Sequence, residues 1–239
     1  MTRTRAPLRL VLSCEHGGNR VPAALRACFR AAGAVLASHR GFDPGALAVA
    51  RVLARKLGAP LFAATTSRLV VDLNRSPDHP RVFSEFTRDL PPAVRARLLA
   101  RSHRPHRERV ARAVAQRLAR GAVVLHVAVH SFTPVLDGEV RRGDIGVLFD
   151  PARLAEAAFH RRWKRAFAVV APTWRVLAND PYRGTSDGLT TALRRRFGRG
   201  YLGVELELNQ RLFAGGQRAT ARVAAAVAAA LAAALAADS

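Results

Sequence analysis

Lysine is almost missing from this 239-residue chain: Lys56 and Lys164 are the only two, although Lys and Arg together number 39. Acidic residues are scarce as well, 17 in all, so the formal charge reaches +22. Such charge attracts polyanions when it is clustered. Here the arginines are scattered along the whole chain and aromatics make up only 6% of it. No basic helix with interleaved stacking residues, zinc finger or RNA-binding signature is present. Abundant arginine and alanine read first as the bias of a GC-rich genome, and polyanion or nucleic-acid binding stands as the alternative reading. Cysteine is limited to Cys14 and Cys28. They make neither a C-x-x-C pair nor a disulfide framework, which favours a reducing compartment and a cytoplasmic protein. Long apolar runs are lacking too. Leu8–Leu12 is too short for the core of a signal peptide, and Val223–Ala237 falls short of the roughly 20 residues that a membrane span needs. The latter reads as a docked helix, with no membrane partner. No repeat or linker divides the chain, so residues 1–239 are expected to form one domain.

What the chain does have is apolar residues, 49% of the total, in short runs that alternate with helical stretches. That alternation predicts an α/β protein with a sheet covered by helices on both faces. Strands are expected near Arg9–Ser13, Leu61–Ala64, Arg68–Asp72, Val123–His130, Ile145–Phe149, Trp174–Ala178 and Tyr201–Leu208. Helices are expected at Pro22–Ala32, Pro44–Leu57, Pro91–Ser102, His106–Arg120, Ala152–Ala168, Leu189–Phe197 and Gln217–Ala236. Pro22, Pro44 and Pro91 fall where helix starts tolerate proline. Pro105 is expected to separate two helices of a charged hairpin.

Several of these strands end in reactive residues rather than in ordinary turns, at the edge where open α/β sheets bind ligands. The first ends in Glu15-His16-Gly17-Gly18, where the glycines allow a sharp exit and uncover the imidazole. His16 there is either a turn histidine or a metal ligand. The strand "VVLHVAVH" carries His126 and His130 on one face, roughly 13 Å apart at ~3.3 Å per residue. They cannot share an ion, so His130 at the strand end is the candidate ligand and His126 a core group. Asp43, just before a helix, is placed either to cap it or to complete a His/Asp/His set for zinc that leaves one position for water. His39 is a further ligand candidate, whereas His103 and His106, among arginines, read as solvated surface. Glu205 and Glu207 share a face of the last strand. One is expected to pair with arginine and the other to accept a proton from activated water. Asn74 and Arg75 follow the third expected strand, and Tyr182 and Arg183 lie in a Gly- and Asp-rich loop. An Arg fork there suits a carboxylate.

The segments "SCEHGGNRVP", "HRGFDPGALAVA", "APLFAATTSRLVVDLNRSP", "HVAVHSFTP", "IGVLFD", "NDPYRG" and "GVELELNQRL" run from residue 13 to about 212. As an ordered set they resemble the N-formylglutamate amidohydrolase-like family, which is similar in turn to zinc carboxypeptidases and aspartoacylase-type hydrolases. The resemblance implies a three-layer, phosphorylase/hydrolase-like α/β fold with a mixed central sheet. It also implies a metal-dependent amidase that cleaves N-formyl-glutamate, or another small anionic N-acyl amino acid, to a carboxylic acid and a free amine. His16 and His130 would hold Zn²⁺, Glu207 would be the general base, and Arg75 with Asn74 would hold the substrate carboxylate. Tyr182 and Arg183 would face the substrate, Arg183 or the metal steadying the oxyanion. Carboxypeptidases place a ligating Glu three residues after the first His, where this chain has Asn19. Asp43 is therefore taken as the third ligand, with Glu15, Asn19 and His39 as alternatives. With water as the nucleophile, neither Cys14 nor Ser131 is needed for attack. A member of the family that binds an anionic ligand without turning it over is the remaining alternative.

Overall fold

The apolar runs at Leu8–Cys14, Val123–Phe132 and Tyr201–Asn209 form the centre of a six-stranded mixed sheet in the computed structural model, which describes residues 6–237. In chain order the elements are β1 (Leu8–Cys14), a 3-10 helix (Ala23–Phe29), α1 (Gly33–Ala37), α2 (Ala46–Leu57), β2 (Leu61–Ala63) and α3 (Pro92–Leu98). There follow α4 (Arg104–Leu118), β3 (Val123–Phe132), the short strands β4 (Val135–Leu136) and β5 (Glu139–Val140), and β6 (Ile145–Leu148). The chain continues through α5 (Leu154–Val170), β7 (Val176–Ala178), α6 (Leu189–Phe197), β8 (Tyr201–Asn209) and α7 (Gly216–Ala236). The sheet order is β2-β1-β3-β8-β6-β7. β2, β1, β3 and β8 run parallel, and β6 with β7 runs the other way. The carboxyl ends of β1, β3 and β8 therefore reach the same edge.

Period two divides the central strands sharply. Leu12, Cys14, Leu125, Val127, Val129, Val204, Leu206 and Leu208 belong to one buried cluster with α2, α5 and α7, which includes Phe159, Trp163 and Phe167. Burying each such large side chain stabilises the fold by about 1.5–3 kcal/mol. The alternate positions begin apolar, with Val11, Val124 and Tyr201 against Val110 and Val114 of α4 and Leu189 and Leu193 of α6. They turn polar towards the carboxyl edge as Ser13, His126, His130, Glu205 and Glu207. This is the expected three-layer arrangement, with helices on both faces.

Helix α7 is long and apolar enough to cross a bilayer by length and composition alone. It begins before the alanine run and buries Val223, Val227, Leu231 and Ala234 against the sheet and its neighbouring helices.

Three local expectations need correction. Residues Arg68–Asp72 form a turn, not a strand. The Ser67 hydroxyl and carbonyl accept from Leu69 and Val70 N–H. The Thr87 hydroxyl donates to the carbonyls of Leu69 and Val70. The apolar residues of that stretch are buried instead in a satellite core with Leu25 and Phe29. Pro105 does not split a hairpin: α3 runs through a π turn (Leu99–His103) into α4, and proline is tolerated in that first turn. His103 and His106 are 2% and 1% exposed rather than solvated.

Candidate metal centre

The tip of β1 turns at Glu15 and His16 and then runs against the segment that follows β2. A Cβ on Gly17 would come within 2.8 Å of the Ala64 carbonyl oxygen, and one on Gly18 within 2.8 Å of that of Thr65. Neither glycine has a positive φ, so close approach, not a left-handed bend, is what demands them. The Asp43 N–H donates to the His16 carbonyl at 2.9 Å, tying the segment before α2 to this tip. Gly45, not Asp43, is the residue preceding α2, and no side chain caps that helix. The Asp43 carboxylate points instead at the imidazoles.

His16, Asp43 and His130 form a buried group whose potential ligand atoms all lie within 4.8 Å of one another, and these three can hold a metal ion. His16 Nδ1 lies 3.4 Å from Asp43 Oδ2 and has no hydrogen-bond partner among the described residues. His130 Nδ1 lies 2.8 Å from the same oxygen. An orphaned, buried imidazole nitrogen facing a carboxylate and a second imidazole suits a divalent cation of the zinc type. Each ring has a carboxylate behind it, hydrogen-bonded to His16 and close to His130. His16 Nε2–H donates to Asp72 Oδ1 at 2.8 Å, and His130 Nε2 faces Glu15 Oε2 at 3.2 Å. Carboxylates in that position fix ring tautomer and orientation in metal sites.

The charges reinforce one another. Burial opposes ionisation of Asp43, yet His16 and His130 hold its carboxyl well below the usual range. Burial likewise opposes ionisation of Asp72, which Arg68 and His16 hold low. His130 behaves conversely: burial favours the neutral ring, but Asp43 and Glu15 raise it well above the ordinary histidine value.

Glu207 stands beside His130 in the β3–β8 register and is 5% exposed. Its Oε2 has no partner among the described residues, and burial pushes the carboxyl up to about 8, opposed by His130 and assisted by Asp43 and Glu205. Glu205 is engaged, its Oε1 accepting from the Thr190 hydroxyl at 2.6 Å. Glu205 thus meets a hydroxyl rather than the expected arginine.

Of the other expected residues, Arg75 lines a cleft of 320 Å³ together with Arg40, Arg68, Asp72, Arg81 and Arg88. Its Nη1 also donates to the Asp187 carbonyl at 3.3 Å. Asn74 Oδ1 accepts from Leu189 N–H at 2.8 Å, so part of this side chain secures the start of α6. The Tyr182 hydroxyl accepts from Arg141 at 3.0 Å, and Asn179 holds the base of that loop through Phe149 and Gly184 N–H. Arg183 is exposed, and among the described residues its side chain makes no hydrogen bond or ion pair. Asn19 donates to the Leu36 carbonyl, Glu15 faces the back of His130, and His39 lies outside the group, so Asp43 is the member the fold brings to the two imidazoles. Cys14 is buried on the apolar face, and burial pushes its thiol well up, away from thiolate chemistry. The larger cavity of the molecule, 790 Å³, surrounds the starts of β1, β3 and β8 and holds none of these groups.

Sequence reasoning marked Asp72 only as part of a polar strand end, and did not single out Arg68 or the Glu15–His106 pair. Arg68 Nη2 donates to Asp72 at 2.8 Å and its Nη1 lies 3.7 Å from Asp43. A helix-like spacing of four between Arg68 and Asp72 was the available signal.

The N-formylglutamate amidohydrolase family model matches residues 8–214. A solved gene product of Agrobacterium tumefaciens shares 31% identity, with 98% of this chain and 92% of that chain covered at a TM-score of 0.83. The solved N-formylglutamate amidohydrolase of Ralstonia eutropha shares 20% identity, with 96% and 94% covered at a TM-score of 0.61. No curated protein matches the sequence. A family match that runs from the first strand to just before the last helix establishes that the chain belongs to the N-formylglutamate amidohydrolase family.

Proposed function

We propose that the protein is a zinc-type, metal-dependent amidohydrolase that cleaves a small N-acyl amino acid, with N-formyl-L-glutamate as the representative substrate, to formate and the free amino acid. One observation carries this reading: an orphaned His16 Nδ1, His130 and Asp43 converge beside an unpartnered, buried Glu207. A divalent ion at such a group lowers the pKa of water to near 7 and polarises a carbonyl oxygen.

The chain's own residues do the rest. Glu207, with one oxygen unpaired, takes the proton of the attacking water and returns it to the departing amine nitrogen as the amide C–N bond breaks. Burial raises this carboxyl in the metal-free protein, which favours its holding a proton until the amine nitrogen takes it. Arg75 holds the substrate carboxylate in bidentate fashion, and the Asn74 amide donor stands beside it. Tyr182 and Arg183 cover the substrate from the loop opposite, Arg183 steadying the developing oxyanion. Arg68, held between Asp72 and Asp43, adds a fixed positive charge at the mouth of the cleft.

Metal analysis of the purified protein, followed by a panel of N-formyl, N-acetyl and larger N-acyl amino acids, tests the reading. The expected result is about one divalent ion per chain, as the single His₂Asp group implies, with turnover abolished by a chelator and restored by zinc. Metal binding without hydrolysis of any panel member would leave a non-catalytic anion binder.

A further inference from the structure

The charged stretch around "RSHRPHRER" has no task in the reaction just described. In the fold it is the junction where the π turn Leu99–His103 runs into α4, a kind of helix irregularity drawn to functional sites. His106 Nε2–H donates to Glu15 Oε1 at 3.1 Å, and Glu15, with no exposed surface, presents its other oxygen to His130 Nε2. Two further side chains of the same junction grip a loop. His103 Nε2–H donates to the Arg75 carbonyl at 2.8 Å. Arg107 Nη1 donates to the carbonyls of Leu73, Asn74 and Arg75 at 3.2, 2.9 and 3.1 Å. That loop starts at Asp72, whose Oδ1 accepts from His16 Nε2–H.

We propose that His106, acting through Glu15, is a positioning residue that keeps His130 Nδ1 aimed at the metal position, while His103 and Arg107 fix the loop behind His16. The proposal rests on the metal reading of the site. An imidazole that binds an ion through Nδ1 carries its proton on Nε2 and needs an acceptor there. Glu15 Oε2 lies 3.2 Å away and, like His130 Nε2, makes no hydrogen bond among the described residues, so it is placed to become that acceptor. A fully buried carboxylate holds one orientation only if its second oxygen is also engaged. His106 engages it. Without that donor Glu15 turns, and the ring of His130 is no longer held from behind. A start of one helix thereby braces both imidazoles, one through a carboxylate and the other through three backbone carbonyls.

The test compares zinc dissociation constants, measured by competition with a chromophoric chelator, for the wild type, His106→Phe and His106→Gln. The thermal midpoints of the metal-free proteins are followed alongside. The Gln amide nitrogen reaches the position of the ring Nε2. The expectation is a 10- to 100-fold weaker zinc affinity, roughly, for His106→Phe and recovery to within about threefold of wild type for His106→Gln. Equal affinity in the wild type and a folded His106→Phe overturns the positioning role and leaves the site intact. No zinc binding by the wild type overturns the site reading and this role with it. The zinc-loaded wild type gives a further readout that does not depend on a variant folding. Its His130 Nε2–H is expected as a slowly exchanging, hydrogen-bonded ring proton in nitrogen-edited NMR spectra, and a freely exchanging one overturns the proposal.

Discussion

His126 and His130 stand on the same face of β3, both buried, and the fold treats them in opposite ways. His126 is enclosed by hydroxyls: Ser13 Oγ and the Tyr201 OH each lie 2.7 Å from a ring nitrogen. A neutral ring satisfies both, donating through one nitrogen and accepting at the other. Burial accordingly lowers its pKa to about 4, with the Glu15 charge opposing and nearby cations assisting. His130 meets carboxylates instead, Asp43 at one nitrogen and Glu15 at the other, and is raised. Partners, rather than depth, decide which imidazole is held neutral and which is raised.

Four substitutions break or sharpen that contrast, in descending order of effect on turnover. His130→Ala removes a corner of the metal group and is expected to lower kcat/KM by about 1000-fold or more, since several kcal/mol of charge stabilisation goes with the ion. Metal analysis after dialysis shows the cause, with zinc retained by wild type and lost from the variant. Glu207→Gln keeps the ion but is expected to slow kcat by about 10²- to 10⁴-fold.

The same change strengthens the metal-free fold. A carboxyl near 8 in the native state, against 4.5 unfolded, contributes stability that is present below pH 4.5 and lost as pH rises through 8. At pH 7 that loss comes to roughly 3 kcal/mol. Glu207→Gln is expected to recover it, read as a higher urea midpoint at pH 7 that converges with wild type near pH 4. A variant no more stable than wild type at pH 7 would falsify the buried, proton-holding state of this residue.

Arg75→Lys retains the charge without the fork. KM is expected to rise by about tenfold with kcat little altered, because uniform substrate binding is what weakens. A fall in kcat with KM constant would move Arg75 from binding to chemistry. The smallest effect on turnover belongs to His126→Asn, expected within about threefold of wild type because the ring is far from the ion. Its signature is thermodynamic. A histidine at about 4 in the native state and 6.5 unfolded contributes stability above pH 6.5 that drains away as pH falls through 4. The amount is about 3 kcal/mol. His130, being raised, contributes in the opposite sense, but wild type and variant share it. The difference between their urea midpoints from pH 7 to pH 4 therefore isolates His126, and parallel curves would rule out its neutral burial.

Much of this arrangement was legible before any coordinates. Strand tips that end in histidine or carboxylate are anomalous as turns, and His16, His130 and Glu207 stood out for that reason. Asp43 was ambiguous, because an N-cap and a ligand ask for the same residue type in the same place. Only the fold shows that α2 starts beyond it. Residues Arg68–Asp72 were misread because an apolar run has the same composition in a strand and in a buried turn. His103 and His106 were missed because their arginine neighbours suggested a wet surface. The signal was nonetheless present: positions 103, 106, 110 and 114 share one stripe at helical spacing, and Val110 and Val114 pack on the sheet. Charge composition concealed what periodicity would have revealed. The pairing of His106 with Glu15 spans most of a hundred positions, and nothing local encodes it.

The tight seam between residues 17–18 and 64–65 carries a lesson for redesign. Mutational libraries aimed at altered selectivity gain nothing from the glycine pair, since even alanine would wedge two backbones apart and carry the neighbouring imidazole out of alignment. Diversity belongs instead at Arg81, Phe83 and Arg88, which line the cleft beside Arg75.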